Sequence, residues 1–146
     1  MVKHILFIVG DGYNFTKTCD RGIYSYNSKI YNPENFDIGD ILWFITTKSK
    51  FHVIAIATFE RFEYRQIGEL VSISETNEER GWILNNKTNI NVDIYFSNIY
   101  NISELNFHIF SMKGQTSIRN YNPDKIIENL HTEYDNIVKY SKVRKI

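Results

Sequence analysis

The chain has little cysteine, little proline and no net charge, and each shortage removes a class of protein. A single cysteine, Cys19, in 146 residues rules out an internal disulfide framework and any cysteine-based zinc site. Two prolines and seven glycines leave no linker-like or low-complexity tract, and no internal repeat is visible. Basic and acidic residues number 17 each, so the formal charge is +0. A polybasic grip on nucleic acid is thereby excluded, and any such grip must come from a local patch. Long hydrophobic runs are missing too. Residues 5–9 are apolar, but Gly10-Asp11-Gly12 breaks them, far short of a signal-peptide core or a membrane span. The expectation is one soluble, intracellular domain over 1–146, with no membrane partner.

What is present is aromatic. Ten Tyr, ten Phe and two Trp make up 15% of the chain, more than a core of this size needs, so some rings should line a pocket or the surface. Strand signals dominate the first two thirds. Residues 2–9 form a β-rich run that ends in the glycine turn. Residues 41–46, Ile-Leu-Trp-Phe-Ile-Thr, are continuously apolar, as in a strand buried on both faces. Residues 51–59 follow after Thr47-Lys48-Ser49-Lys50, which predicts a hairpin. There Ala55 and Ala57 alternate with Ile54 and Ile56, the pattern of a tightly curved sheet with little room on one face. Residues 91–96 alternate as a half-exposed strand, and residues 105–112 suggest another.

Helices read as short. Asn32-Pro33-Glu34 places a cap before a first-turn proline, and Thr76-Asn77-Glu78-Glu79 fits a capping box leading into Trp82. Asn122-Pro123 opens the clearest helix, over 123–130, with continuation over 132–140. Strands first and a helix last predict a small α+β barrel.

Gly10-Asp11-Gly12 after a strand invites comparison with phosphate-binding loops. The dinucleotide fingerprint needs a third glycine where Phe15 stands, with a helix at once, and the Lys-Ser/Thr of a P-loop is missing. The turn reads instead as a glycine-rich strand end that lets the backbone pass close to a ligand or a neighbouring strand. His4, His52, His108 and His131 show no metal-ligand spacing, and a nucleophile pair of Cys19 with one of them stays a minor alternative. No metal or cofactor is implied. The rings carry more information. Tyr13 and Phe15 follow the first strand, Tyr24 and Tyr26 fall in a turn-like segment, and Trp82 sits among polar neighbours. Rings from separate segments can form a slot that a planar base enters, gaining about 1–3 kcal/mol from stacking. Trp43, Phe44, Phe51 and Phe59 read as core. Charge is uneven: Lys139, Lys142, Arg144 and Lys145 form a basic tail, whereas residues 60–80 are rich in Glu. Such runs are either solvated faces or, beside an aromatic slot, a rim for phosphates.

In this order, the segments resemble PUA-like barrels of the EVE and YTH type over nearly the whole chain. His4-Ile5-Leu6-Phe7-Ile8-Val9 is similar to their opening strand. Arg21-Gly22-Ile23-Tyr24-Ser25-Tyr26-Asn27 resembles the segment where they place a Trp. Phe36-Asp37-Ile38-Gly39-Asp40-Ile41-Leu42-Trp43-Phe44 is similar to their Gly-Asp strand. Phe51-His52-Val53-Ile54-Ala55-Ile56-Ala57 is similar to their small-residue strand. Gly81-Trp82 with residues 91–96 resembles the loop and strand that close the cage. The Ile- and Asn-heavy composition is also similar to proteins of large DNA viruses, which would place the chain in host cytoplasm.

The resemblance implies a curved β-barrel with short flanking helices and a C-terminal helix, and recognition of a modified or extruded base. Carried over, Tyr24 and Trp82 are cage walls, with Tyr13 beside them and Asp11 and Asn14 near the base edge. Lys17, Arg21, Arg119, Lys139, Lys142 and Arg144 would hold phosphates. Two departures stand out. Tyr24 replaces a Trp, which makes the cage more polar, and Asp11 stands where the YTH pattern has Lys-Ser. The reading is a non-catalytic module for single-stranded RNA or DNA, or for a duplex with an extruded base. One alternative is an ASCH-like hydrolase of modified nucleosides or RNA, using Thr16, Lys17 and an acid such as Glu60. Another is a protein-interaction module whose pocket is closed.

Overall fold

A computed structural model describes residues 2–47, 52–64, 90–103, 134–135, 137–138 and 144–145. The apolar run after Lys3 becomes β1 (His4–Ile8), which lies parallel to β3 (Ile41–Ile45) with His4 opposite Ile41. β3 returns antiparallel as β4 (Val53–Tyr64), and β4 pairs with β5 (Val92–Asn101). The far edge of β5 carries β2 (Ile23–Tyr26) at one end and the two-residue β6 (Arg144–Lys145) at the other. The sheet therefore runs β1-β3-β4-β5-β2, mixed in direction. With the helix α1 (Tyr13–Thr18), this is a small α+β arrangement. No helix among the described residues is long and apolar enough to cross a membrane.

Both faces of the sheet carry a core. One face gathers Phe7, Phe15, Tyr26, Leu42, Phe44, Ala55, Ala57, Phe59, Ile94 and Phe96. The other gathers Leu6, Ile41, Trp43, Ile45, Val53, Ile56 and Ile102, covered by Ile137 and Tyr134 from the helical residues near the C-terminus. All five residues of β3 are consequently buried, as its continuous apolarity predicts. The alanines of β4 work as expected. Ala55 lies opposite Phe44 and Ala57 opposite Leu42. Their missing bulk leaves room for Phe44, whose ring sits 4.3 Å from Phe15 and 4.9 Å from Phe96. Each such buried ring contributes about 1.5–3 kcal/mol.

The curl of the sheet brings its two ends together without joining them. Phe7 on β1 meets Tyr24 and Tyr26 on β2 edge to face, at 5.9 and 4.8 Å between centroids. Yet β1 and β2 terminate opposite ends of the strand order, so the sheet is open and the expected closed barrel is not formed by hydrogen bonding among the described residues. Side chains answer the unpaired edges. On β1, Lys3 and Val9 bond to β3 through their backbones, which turns Ile8 outward. The Ile8 N–H then donates to the Tyr31 hydroxyl at 3.2 Å. On β2, Gly22 and Tyr26 face β5, which turns the Ile23 carbonyl outward, and it accepts from Thr18 Oγ1 at 2.7 Å.

Other expectations need correction. Residues 23–26, read as a turn, form β2, because Ile23, Tyr24, Ser25 and Tyr26 find β5 partners far along the chain. Residues 92–94 are buried rather than half-exposed, since β5 is flanked by β4 and β2, and the buried Asp93 accepts a hydrogen bond from Ser25. Arg144 and Lys145, read as part of a basic tail, pair with Asn101 and Tyr100, so a strand and not a helix comes last among the described residues. Asn32-Pro33 caps only a single 3-10 turn, Pro33–Asn35, with Asn32 Oδ1 accepting from Glu34 N. The features expected at residues 76–82, 105–112 and 123–130 lie outside the described residues.

Candidate functional site

The segment that follows β1 builds the site. Gly10 and Gly12 both take positive φ, and a Cβ on Gly12 would stand 2.9 Å from Thr46 Cγ2 and 3.5 Å from Ile54 Cδ1. The close neighbour that Gly12 accommodates is thus the β3–β4 hairpin. The turn leads directly into α1, where Asp11 Oδ1 accepts the Tyr13 N–H at 2.9 Å. α1 faces inward through Phe15 and Thr18 and outward through Tyr13, Thr16 and Lys17. It is only six residues long and offers no extended helix N-terminus.

Across the open seam stands a group of tyrosines. Tyr24 is half-buried, 5.7 Å from Phe15 and nearly parallel to Tyr26 at 6.5 Å. Tyr31 stacks on Phe7 at 4.7 Å. Tyr26 donates its hydroxyl proton to the Tyr31 carbonyl at 2.8 Å, which ties the β2 end to the following turn. Burial pushes the Tyr24 phenol well above its ordinary value, and the Tyr31 phenol and the Asp11 carboxylate add to the rise. Tyr26 is raised too, first by burial and then by Tyr64 and Tyr31. Asp11, Tyr24 and Tyr31 therefore share one electrostatic neighbourhood beside the seam, and the Tyr24 and Tyr26 phenols stay neutral through the physiological range. Tyr31 was absent from the sequence-predicted set. Its role depends on a contact 23 residues away, with Ile8, which no local pattern signals.

Of the expected pocket residues, Asp11, Tyr13 and Asn14 lie on the turn and the first turn of α1, and Tyr24 lies across the seam on β2. Tyr13 is 43% exposed, and Lys17 Nζ sits 5.0 Å above its ring. Arg21 is exposed at the end of the 3-10 turn that follows α1. Arg144 lies on β6 at the other end of β5, apart from this group. Trp82, Arg119, Lys139 and Lys142 lie outside the described residues.

The set considered for hydrolysis is dispersed in its bonding. Thr16 Oγ1 donates to the Tyr13 carbonyl and the Lys17 ammonium lies over Tyr13, whereas Glu60 on β4 accepts from Ser97 on β5. The Cys19 thiol is pushed up by burial and then by Asp20, which disfavours the thiolate that a nucleophile needs. Among the described residues no cluster of His, Cys, Asp and Glu could hold a metal ion.

What the arrangement can do chemically is limited and definite. It offers aromatic faces and edges, phenolic oxygens, one carboxylate and two exposed cations within one stretch of chain. Those groups suit binding of a flat, polar-edged ligand that carries negative charge beside it. No protein-family model matches the chain, and no curated protein matches it in sequence.

Proposed function

We propose that this chain is a non-catalytic nucleic-acid-binding module that receives a modified or flipped base at the aromatic seam between β1 and β2. The observation that carries the reading is the gathering of Tyr24, Tyr31 and Asp11 beside the exposed Tyr13–Lys17 pair. In this reading the curled sheet is the wall of a small PUA-like barrel of the EVE/YTH type. Tyr13 and Trp82 supply stacking surfaces, Tyr24 closes the back, and Asp11 and Asn14 accept from or donate to the base edge. Lys17, Arg21 and the basic residues near the C-terminus track the phosphates of single-stranded RNA or DNA, or of a duplex with an extruded base. The cost of unstacking the base is offset by ring stacking and edge hydrogen bonds.

The test is a tryptophan-fluorescence titration of wild type and Trp82→Phe. Short single-stranded DNA and RNA oligonucleotides, plain or methylated, are added at two salt concentrations. Salt-dependent quenching that is lost in the variant supports the reading, and a preference for one modification names the target. Trp82→Ala should weaken binding by about 1–3 kcal/mol, while Lys142→Ala should chiefly lower the salt slope. A flat response to every oligonucleotide would sink the base pocket. One observation favours a second reading, a protein-interaction module with a closed pocket: the Tyr24 ring is engaged edge-on by both Phe7 and Phe15. Under that reading the oligonucleotides leave the fluorescence unchanged, and Tyr24→Ala costs stability rather than binding.

A further inference from the structure

We propose that Lys17 makes the site select phosphorylated nucleotides over free nucleosides, by covering the Tyr13 ring until a phosphate draws its ammonium away. The inference rests on the base-site reading and gives that site a discriminating residue. Tyr13 and Lys17 are four residues apart on α1, so their side chains lie on one helix face. The Tyr13 N–H donates to Asp11 Oδ1 at 2.9 Å, which holds its backbone at the start of the helix. Tyr13 presents 43% of its surface, and the ammonium of Lys17 stands 5.0 Å from the ring centroid. Among the described rings beside the seam, Tyr13 is the exposed one, and it already has a cation over it.

Two interactions compete for that cation. An exposed ammonium–ring contact is weak, whereas an ammonium–phosphate pair is charge-assisted and stronger. A nucleoside must displace Lys17 from the ring and offers it nothing in return. A nucleotide supplies the phosphate that receives Lys17, so the ring is uncovered as the base arrives. One residue thus penalises the uncharged ligand and rewards the charged one.

The experiment titrates wild type, Lys17→Met and Lys17→Arg with the four ordinary ribonucleosides and N6-methyladenosine, and with the 5′-monophosphate of each. Binding is followed through the Tyr13 ring resonances by NMR. Lys17 is solvent-exposed, so none of these variants threatens the fold. In Lys17→Met, nucleoside affinity should rise about 2- to 5-fold as the ring is released. Monophosphate affinity should fall in the same variant, and the salt slope for a single-stranded oligonucleotide should drop by about 0.7. Lys17→Arg should keep the wild-type preference. If the two ligand kinds shift in the same direction in Lys17→Met, or neither shifts, the role given to Lys17 is wrong while the base site stands. If no ligand perturbs the wild-type resonances, the base-site reading falls and takes this inference with it.

Discussion

Gly22 is the residue on which β2, and with it the Tyr24 side of the seam, depends. Its φ is +70°, and a Cβ built there would stand 2.1 Å from the carbonyl oxygen of Phe96. Contact at that distance cannot be relieved by turning a side chain, because the obstacle is backbone. The strand must back away by about 1.3 Å before the contact becomes ordinary. That movement breaks the 2.9 Å bond from Phe96 N to the Gly22 carbonyl and disturbs the Thr18 bond to Ile23. Left-handed strain costs about 1–2 kcal/mol and a lost hydrogen bond about 1 kcal/mol. With the repacking of Ile23 and Tyr24, Gly22→Ala should destabilise the chain by about 3 kcal/mol or more.

Gly10 supplies the control. Its φ is +59°, but nothing lies within 4 Å of its hypothetical Cβ, so Gly10→Ala carries the conformational strain alone. Part of that strain is recovered because alanine narrows the unfolded ensemble, leaving about 1 kcal/mol. Urea unfolding followed by tryptophan and tyrosine fluorescence measures both variants against wild type. A gap of less than about 1 kcal/mol between them would refute the claim that close backbone approach, rather than φ, fixes glycine at position 22.

Three further outcomes are expected. Asp40 is buried and accepts the N–H groups of Lys3 at 3.0 Å and Asp37 at 2.8 Å, so Asp40→Ala should cost about 3 kcal/mol in the same unfolding assay, with Asp40→Asn milder. Ala57→Val forces extra methyls against Leu42 and its neighbours and should cost about 1–3 kcal/mol, read as a lowered Tm. The third concerns alkaline pH. Tyr24 and Tyr26 hold their protons above the ordinary phenol value when folded, so the unfolded chain releases protons first. Stability is full below about pH 10 and falls above it by about 1.4 kcal/mol per pH unit for each residue. Tyr24→Phe should make that decline shallower, and an unchanged slope would show that the Tyr24 phenol ionises as freely folded as unfolded.

Sequence pattern revealed those features that one strand carries within itself. The unbroken apolarity of residues 41–45 announced burial on two faces, and the alternating alanines of β4 announced a cramped face. The hairpin and the Asn32 cap were equally local. What stayed hidden depends on partners. Ile23, Tyr24, Ser25 and Tyr26 lie between Gly22 and Asn27-Ser28, which reads as a turn until β5 is placed beside them. α1 sets a single Lys among Tyr, Asn, Phe and Thr, all weak helix formers, and the inward packing of Phe15 stabilises it. β5 continues past its first alternating residues through Asn98, whose φ of 50° interrupts the pattern. At the seam, Asp11, Tyr13 and Tyr24 were legible because loop aromatics and a turn carboxylate are conspicuous. Tyr31 was not, since only the curl of the sheet brings it to Ile8.

The two hydroxyls on the strand edges bear on how the chain behaves in a crowd. An unpaired strand is a template onto which another molecule can add a strand, and edge-to-edge growth begins where a donor or acceptor is left waiting. Tyr31 occupies the Ile8 donor and Thr18 the Ile23 acceptor, so at both places an incoming strand would have to displace a bond already made. Among the described residues, the ends of the sheet are thereby guarded at these two places by single side-chain atoms.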